Sequence, residues 1–320
     1  FGSSHIGPRL RVLKAEFLPI SGADRQCPAT REEVRALVSM VRFGRFLDAS
    51  GSVSYGIQQP DGSFNYAEGC PFASTLKDTG KKAVLTRCLP PVQPVEVICI
   101  GLNYRKHADE LKLPYPKNPV VFLKPVTTVT GHGAEVVKPR VTQKMDYEVE
   151  LAVVIGRACK DVTPEGALDY VLGYTCANDI STRDWQKVPE LAGSQWCRSK
   201  MFDGFAPLGP VVTTRDELPD PGKLRVRTWL NGEQVQDSST SDLIFSVQQC
   251  ISFLSIGTTL QPGTVILTGT PAGVAEGRSP QPWLQPGDRV AVEVEGVGRL
   301  ENTVVADPSP AACFYVPSKL

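Results

Sequence analysis

The sequence lacks net charge, and it lacks any long run of apolar residues. Lysine and arginine together number 34, as do aspartate and glutamate, so the formal net charge of the 320 residues is zero at pH 7. The sequence has no basic stripe interleaved with aromatic side chains, which is the pattern of a nucleic-acid-binding surface. The longest apolar runs, residues 95–100 and 151–155, fall far short of the roughly 20 residues that cross a bilayer. We therefore expect neither nucleic acid nor a membrane among the partners of this protein.

The sequence is also poor in soft metal ligands. It has three histidines, His5, His107 and His132, and none stands at zinc-ligand spacing from a cysteine or another histidine. Its nine cysteines form no C-x-x-C pair, which indicates free thiols in a reducing compartment rather than a disulfide framework. We therefore expect an intracellular protein, cytoplasmic or mitochondrial. Any bound metal is expected to be a hard cation held by oxygen, meaning Mg²⁺, Mn²⁺ or Ca²⁺.

The distribution of turns, prolines and apolar runs divides the chain into four segments. Residues 1–40 are interpreted as an N-terminal extension, and residues 41–92, with short strands separated by turns, as a small β-rich domain. A stiff proline-rich linker, Pro90-Pro-Val-Gln-Pro94, precedes the first buried strand of the main domain, which is expected to span residues 93–306. Residues 307–320 form a C-terminal tail.

Local patterns predict several elements of the main domain. Thr163-Pro-Glu165 is typical of a helix start. Residues 246–255 are expected to form an apolar helix that ends at Gly257. Residues 286–305 are expected to form an antiparallel pair of strands across a glycine turn.

One stretch places acidic side chains on the same side of a predicted strand. Along Asp146-Tyr-Glu-Val-Glu-Leu-Ala-Val-Val-Ile-Gly156, the acidic residues Asp146, Glu148 and Glu150 alternate with apolar residues. Residues i and i+2 of a strand lie roughly 6.5–7 Å apart, so Glu148 and Glu150 can converge on one divalent cation, and positive charge is expected between them. The alternative is a half-exposed strand whose acidic side is solvated.

Six motifs follow one another in the main domain. They are Gly101-Leu-Asn-Tyr-Arg-Lys-His-Ala-Asp-Glu110, Phe122-Leu-Lys-Pro125, Glu148-Val-Glu150, Asn178-Asp-Ile-Ser-Thr-Arg-Asp-Trp-Gln186, Ser199-Lys-Met-Phe-Asp203 and Thr268-Gly-Thr-Pro-Ala-Gly-Val274. In this order, over some two hundred residues, the chain resembles the fumarylacetoacetate hydrolase family, and in particular its short acylpyruvase and oxaloacetate-handling branch. The first ninety residues carry little of the resemblance.

The resemblance implies an α+β fold that is mostly β. A mixed, rolled β-sheet of the fumarylacetoacetase C-terminal type would enclose the site, with helices outside it. A small β-rich N-terminal domain would precede it in the sequence. It also implies a homodimer built through the main domain. Periodicity alone indicates only a β-rich mixture of strands and helices.

The resemblance further implies a metal site and its surroundings. Glu148, Glu150 and Asp179 would hold Mg²⁺ or Mn²⁺, and Lys200 would lie beside the same substrate oxygens. Taken alone, Lys200 would be interpreted as a surface lysine. Substrate-binding candidates are Lys124, Arg183, Gln186 and Thr270. The alternatives are a structural cation for Lys124, a partner of Asp184 or another loop acid for Arg183, and an ordinary turn residue for Thr270.

His107 and Glu110 stand three residues apart, so they share one face if the segment is helical. They match a dyad that the family carries on a lid helix, in which the glutamate orients the imidazole and the imidazole activates water or moves a proton. The alternative is a surface histidine beside an acidic residue.

The implied chemistry is that of a metal-dependent enzyme acting on small 2-oxo or 1,3-dicarbonyl acids through a metal-bound enolate. Acylpyruvate-type hydrolysis of a carbon–carbon bond and keto–enol tautomerisation of oxaloacetate are the leading reactions. Oxaloacetate decarboxylation and dienoate isomerisation are alternatives. A function of another class, a catalytically idle dimeric scaffold or a small-molecule binding protein, also stays open at this point.

Overall fold

The computed structural model of this chain describes residues 41–188 and 194–309. The predicted N-terminal extension, residues 1–40, and residues 310–320 of the predicted tail lie outside the described residues.

Strands dominate the described part of the chain. The strands are β1 (Arg42–Asp48), β2 (Val53–Gln58), β3 (Phe64–Glu68), β4 (Lys77–Lys82), β5 (Leu85–Leu89), β6 (Glu96–Gly101), β7 (Val120–Lys124), β8 (Val129–Thr130), β9 (Glu135–Lys138), β10 (Met145–Asp146), β11 (Val149–Ile155), β12 (Val171–Asn178), β13 (Ser181–Thr182), β14 (Ala206–Thr214), β15 (Arg225–Leu230), β16 (Glu233–Ser239), β17 (Thr264–Leu267), β18 (Arg289–Val294) and β19 (Gly298–Ala306). The α-helices are α1 (Arg105–Glu110), α2 (Arg183–Lys187), α3 (Trp196–Lys200) and α4 (Val247–Ser255). Short 3₁₀ helices span Pro71–Ala73, Val126–Thr128, Pro164–Tyr170, Pro221–Lys223, Thr240–Asp242 and Ala275–Gly277. The prediction of a mostly β, α+β fold is confirmed.

A 12-stranded mixed sheet runs through the molecule. Its main path has the order β4-β3-β2-β1-β14-β12-β11-β17-β6-β7, with β5 paired to β1 and β8 paired to β14. Strand β17 is parallel to β6, whereas β11 is antiparallel to both β12 and β17. The strands of residues 41–92 join this sheet through the antiparallel pair of β1 and β14. The division into two domains at residue 92 stays a prediction.

Two smaller sheets complete the fold. Strands β16, β15, β18, β19 and β9 form a five-stranded sheet, and β10 pairs with β13. Strands β18 and β19 are antiparallel, and Gly296 occupies the turn between them with a φ of 73°. The predicted pair of strands across a glycine turn is therefore confirmed.

Strand β11 is buried on both faces. Its alternate residues Val149, Leu151, Val153 and Ile155 pack in a core with α4 and the five-stranded sheet. Ala152 and Val154, on the other face, pack against residues of β6 and β17. The alternative of a half-exposed strand with a solvated acidic side is therefore wrong, because the sheet has buried apolar layers on both sides.

Helix α4 covers one side of the sheet. Its apolar residues recur at the spacing of one helical face, and the buried ones are Val247, Cys250, Ile251 and Leu254. Ser246 and Gln249 form a capping box at its start, and Gly257 follows its end with a φ of 66°. The predicted helix of residues 246–255 is confirmed.

The predicted helix start at Thr163 leads only to the 3₁₀ helix Pro164–Tyr170. Gly166 disfavours helix propagation, and its N–H donates to the Thr163 carbonyl three residues back. Among the helices of the described ranges, none has the length and apolar character needed to cross a membrane.

Candidate active site

Two antiparallel strands bring three acidic side chains together. Glu148 directly precedes β11, Glu150 lies within it, and Asp179 directly follows β12. The register pairs Val149 with Asn178, and the Asp179 N–H donates to the Glu148 carbonyl at 2.9 Å. Each of the three side chains offers a carboxylate oxygen, and these oxygens lie within 4.8 Å of one another. The structure thus brings the three predicted metal ligands together, and their role as ligands stays a prediction.

All buried acidic residues of the described chain lie around this point. They are Asp146, Glu148, Glu150 and Asp179. Asp146 does not converge with the other three, because β10 pairs with β13 instead of continuing into β11. Its carboxylate accepts hydrogen bonds from Arg183 Nε at 2.8 Å and from the Ala275 N–H at 2.7 Å. The predicted alternation is therefore wrong at its N-terminal end.

Two buried lysines form ion pairs with the acidic cluster. Lys200 Nζ lies 2.8 Å from Glu148 Oε2 and also bonds Asp179 Oδ2. Lys124 Nζ contacts Asp179 Oδ1 and lies 3.2 Å from the Ile180 carbonyl oxygen. The interpretation of Lys200 as a surface lysine is wrong, since an uncompensated buried carboxylate is costly and both lysines are held inside by these acids.

Arg183 is the third buried cation of the cluster. Its Nη2 donates to Glu148 Oε1, and its Nη1 donates to Gln186 Oε1 at 2.9 Å. The alternative partner Asp184 is wrong, because the Asp184 carboxylate accepts instead from Thr142 Oγ1 at 2.7 Å and from the Gln143 N–H at 2.7 Å. Arg183 and Gln186 therefore form one bonded unit beside the acids.

The acids differ in their electrostatic surroundings. Burial by itself would raise the pKa of Glu148, but Lys200 and Arg183 outweigh burial and hold that pKa below the usual range. Burial raises the pKa of Glu150 well above its ordinary value, and repulsion from Asp179 and Glu148 adds to the shift. A divalent cation beside Glu150 would stabilise its ionised form.

The turn after β17 lies against Glu150. The Gly269 N–H donates to Glu150 Oε2. Gly269 has a φ of 102°, and a Cβ there would stand 2.7 Å from Asn103 Cβ, so a side chain is excluded by both conformation and space. The next residue, Thr270, lines the cavity described below. Its predicted role in binding substrate stays a prediction.

His107 and Glu110 both lie in α1 and are in contact. His107 Nδ1 is 3.2 Å from Glu110 Oε2, while Glu110 Oε1 accepts from the Gly273 N–H at 3.0 Å. A carboxylate only accepts, so Nδ1 carries the proton and Nε2 is the acceptor of the neutral imidazole. His107 is only 5% exposed, so the interpretation as a surface histidine is wrong.

A cavity of about 400 Å³ opens above these groups. Among the predicted site residues, those that line it are His107, Glu148, Glu150, Asp179, Arg183, Gln186, Lys200 and Thr270. Apolar side chains form another part of its wall, namely Ile100, Leu102, Leu111, Leu113, Phe122 and Trp196. Lys124 and Glu110 lie behind the wall and contact Asp179 and His107, respectively.

Three residues that support or border the site are not among the predicted site residues, namely Asp146, Glu276 and Gln236. Asp146 was visible in the acidic stretch, but its contact with Arg183 depends on the switch of strand partners. Glu276 lines the cavity and pairs with Lys187 at 2.7 Å, and no motif marks it. Gln236, in β16 of the five-stranded sheet, is 1% exposed and bonds the Val149 N–H at 3.1 Å.

The chemistry of the acidic group fits a hard divalent cation. Within the described ranges, Glu148, Glu150 and Asp179 are the group of three or more His, Cys, Asp or Glu residues whose potential ligand atoms converge. All their donors are oxygen, and oxygen ligands on opposite sides of such an ion lie roughly 4–5 Å apart. The site is therefore able to hold a divalent metal.

Fold and site together define a class of enzyme with a buried carboxylate centre enclosed by a mixed sheet. The sequence profile of the family described as "Fumarylacetoacetate (FAA) hydrolase C-terminal" matches residues 96–305. The chain therefore belongs to the fumarylacetoacetate hydrolase family and is an enzyme of it. The resemblance predicted from the six motifs is confirmed. The alternative of a catalytically idle scaffold or binding protein is not supported.

One relative and two solved structures show which proteins this chain is similar to. Over 224 residues, 70% of this chain and 71% of the relative, the chain is 42% identical to "Oxaloacetate tautomerase FAHD2A, mitochondrial" of Homo sapiens. A 2-hydroxyhepta-2,4-diene-1,7-dioate isomerase from Mycobacterium marinum has a TM-score of 0.72 at 36% identity, covering 84% of this chain and 100% of its own. A fumarylacetoacetate hydrolase from Exiguobacterium antarcticum has a TM-score of 0.74 at 35% identity, covering 83% and 100%.

Proposed function

We propose that this protein binds Mg²⁺ or Mn²⁺ through Glu148, Glu150 and Asp179 and catalyses keto–enol tautomerisation of a small 2-oxo acid, with oxaloacetate as the substrate. The observation that carries the proposal is that these acids, Lys200 and His107 all face one cavity. A 2-oxo acid offers neighbouring carboxylate and carbonyl oxygens that chelate a hard cation. The human relative named above as an oxaloacetate tautomerase supports the choice of substrate.

With a divalent cation bound, the buried charges would favour an anionic ligand. The four buried carboxylates of the cluster face three buried cations, Lys124, Arg183 and Lys200, which leaves one negative charge when all are ionised. A divalent cation would reverse that sign. The site would then attract a dianion such as oxaloacetate, because opposite charges attract strongly where water is excluded.

In the proposed reaction, negative charge develops on the oxygen of the enolate. A bound divalent cation would act as a Lewis acid towards the substrate oxygens. Lys200 adds a fixed positive charge beside the acids, and although burial lowers its pKa, Asp179 and Glu148 outweigh burial and raise it, so the ammonium keeps its proton. Its charge would stabilise the enolate without transferring a proton.

His107 is the proposed proton carrier. In the keto-to-enol direction its Nε2 would take a proton from the carbon next to the ketone and deliver it to the enolate oxygen, with Glu110 holding the ring through Nδ1. In the enol-to-keto direction the same nitrogen would take the enol hydroxyl proton and deliver it to that carbon. Phe122 and Trp196 pack edge to face, with ring centroids 5.8 Å apart, and line the cavity. These rings would limit access of water to the enolate.

The proposed reaction is tested by following the ultraviolet absorbance of enol-oxaloacetate. We expect the protein with Mg²⁺ to accelerate loss of the enol signal without release of carbon dioxide. Release of carbon dioxide in step with that loss would indicate the alternative reaction, decarboxylation. No acceleration with oxaloacetate at any Mg²⁺ concentration would contradict the proposal.

Acylpyruvate hydrolysis is a second candidate, favoured by the apolar wall of the cavity. Leu111 and Leu113 have no polar group for a second carboxylate, whereas they could pack against an acyl chain. In that reaction His107 would activate a water. Formation of pyruvate from acetylpyruvate, measured with a coupled dehydrogenase, would support hydrolysis, and its absence with oxaloacetate turnover intact would exclude it.

The homodimer also remains a proposal. Strand β7 lies at one end of the main path of the large sheet, and it exposes Val121 and Leu123, which are 43% and 53% exposed. A second copy could cover this edge. Sedimentation should give twice the chain mass of 34.7 kDa, and a single-chain mass at micromolar concentration would contradict the dimer.

An intracellular location, cytoplasmic or mitochondrial, is proposed as well. The seven cysteines of the described ranges are all free thiols, as expected in a reducing compartment. The name of the human relative includes a mitochondrial location. Fractionation of cells that express the protein would test this proposal, and recovery in a secreted fraction would contradict it.

A further inference from the structure

Gln236 occupies a buried position between the five-stranded sheet and the 12-stranded sheet, and its side chain makes four hydrogen bonds. Its Oε1 accepts from the Val149 N–H at 3.1 Å and from Thr228 Oγ1 at 2.7 Å. Its Nε2 donates to Thr270 Oγ1 at 3.0 Å and to the Pro271 carbonyl at 3.0 Å. All hydrogen-bonding groups of this side-chain amide are therefore used.

The orientation of the amide is fixed by the backbone. The Val149 N–H can only donate, so the atom that faces it must be the amide oxygen. The Pro271 carbonyl can only accept, so the atom that faces it must be the amide nitrogen. A flipped amide would place two donors together at Val149 and two acceptors together at Pro271.

This orientation determines the direction of the Thr270 hydroxyl proton. Because Gln236 Nε2 donates to Thr270 Oγ1, the hydroxyl is the acceptor in that bond and cannot direct its own proton there. Within residues 41–188 and 194–309, Thr270 Oγ1 donates to no protein group, and Thr270 lines the cavity. The proton is thus available to an oxygen of a ligand in the cavity.

The opposite end of the amide contacts the acidic strand. Val149 lies between Glu148 and Glu150, and its N–H donates to the side-chain oxygen of Gln236. One side chain from β16 therefore connects the backbone between two proposed metal ligands with the proposed substrate contact Thr270.

We propose that Gln236 is a positioning residue that makes the Thr270 hydroxyl a hydrogen-bond donor to a carboxylate oxygen of the bound 2-oxo acid. This inference rests on the proposed function of the same cavity. Gln236 itself acts through Thr270, without contacting substrate.

A double-mutant cycle tests the proposal, with Gln236→Met, Thr270→Val and the double variant. The probe is oxalate, a stable dianion, titrated by calorimetry at saturating Mg²⁺. Each single variant should weaken oxalate binding about tenfold, which is the usual effect of losing one hydrogen bond to a charged group. The double variant should bind oxalate no more than about threefold more weakly than either single variant, because both changes remove the same interaction.

Kinetics and metal affinity distinguish the loss of one substrate contact from a general loosening of the structure around the site. With oxaloacetate, Gln236→Met should raise KM by the same factor as the oxalate Kd and change kcat less. The Mn²⁺ affinity should change by less than about threefold, since all three acids remain.

The matched control is Thr228→Val. Thr228 bonds the oxygen end of the same amide and does not line the cavity, so its loss should lower thermal stability while oxalate affinity stays within about twofold. If Gln236→Met does not fold, Gln236→Asn replaces it in the cycle, because its shorter amide stays polar but cannot span from Val149 to Thr270.

Two results would overturn the inference. One is additivity, in which the double variant weakens oxalate binding about a hundredfold. The other is a loss of oxalate affinity in Thr228→Val equal to that in Gln236→Met, which would mean that any structural change around the amide weakens oxalate binding. A protein that binds oxalate with the predicted coupling but does not turn over oxaloacetate would retain the role of Gln236 and reject the proposed reaction. Turnover of oxaloacetate together with additive effects in the mutant cycle would support the proposed reaction and reject the role of Gln236.

Discussion

Glu148 and Glu150 are two residues apart, yet their surroundings give them opposite effects on stability. Glu148 pairs with Lys200 and Arg183, which hold its pKa low. Glu150 makes no ion pair within the described ranges, and burial raises its pKa. Of the three proposed ligands, Glu150 therefore depends most on an added cation, because an unpaired buried carboxylate opposes folding.

The first prediction compares Glu150→Gln with Glu148→Gln in the presence of chelator. Glu150→Gln removes a buried unpaired charge and keeps an oxygen for the Gly269 N–H, so its Tm should rise by about 2–4 °C, equivalent to roughly 1 kcal/mol. Glu148→Gln breaks two buried ion pairs and should lower the Tm. Thermal unfolding followed by circular dichroism checks both, and shifts in the same direction would contradict this explanation.

A second residue-scale prediction concerns His107. The variant His107→Ala should lose at least about a hundredfold in kcat, because a positioned proton carrier usually contributes that much, while its Mg²⁺ affinity stays unchanged. Glu110→Gln should have a smaller effect, since the amide can still contact Nδ1. Steady-state kinetics with calorimetric Mg²⁺ titration measure both quantities. Loss of Mg²⁺ binding in His107→Ala would instead assign the histidine to the metal site.

At the scale of elements, the sequence pattern predicts strand β11 well from Val149 onward. It fails at Asp146, because the strand that contains Asp146 pairs with β13 whereas β11 pairs with β12. A local sequence pattern does not indicate which strand is the pairing partner. The spacing of the dyad predicts its contact, since residues three apart are neighbours on one face of an α-helix such as α1. The 3₁₀ helix Pro164–Tyr170 differs from the expected helix because its sequence is short and contains Gly166.

The third prediction concerns the start of α4. The variant Ser246→Ala removes the side-chain acceptor of the Gln249 N–H and should lower the free energy of unfolding by about 1 kcal/mol. Chemical denaturation measures the change. Gln248→Ala, one residue before Gln249 and outside the capping box, is the control and should stay within about 0.5 kcal/mol of the wild type. Equal effects of the two variants would mean that the capping box adds no stability.

For the whole molecule, the order of motifs predicts most of the site, because five of the six motifs include a predicted site residue that lines the cavity. The exception is Phe122-Leu-Lys-Pro125, whose Lys124 lies behind the wall. It could not predict Gln236, which reaches the site only because the five-stranded sheet packs on β11. Nor could it predict that Asp146, Glu148, Glu150 and Asp179 are all buried, since burial depends on how the sheets pack in the folded chain.

The fourth prediction concerns the effect of Mg²⁺ on the stability of the entire fold. Saturation with Mg²⁺ should stabilise the native state by about 2.7 kcal/mol at a concentration of 100 times Kd, because the ion binds only where the chain has brought the acids together. Differential scanning calorimetry should therefore show a higher Tm with Mg²⁺ than with chelator. Glu150→Gln should show little difference between the two conditions, and a full shift in that variant would place the ion elsewhere.

The most direct measurement is a titration with Mn²⁺ followed by the paramagnetic resonance signal of the free ion. The wild-type protein should remove one equivalent of Mn²⁺ per chain, and excess Mg²⁺ should release it. Asp179→Asn should leave the free-ion signal equal to that of buffer at the same concentrations. Retention of one tightly bound Mn²⁺ per chain in that variant would contradict the assignment of the buried acids as the metal centre.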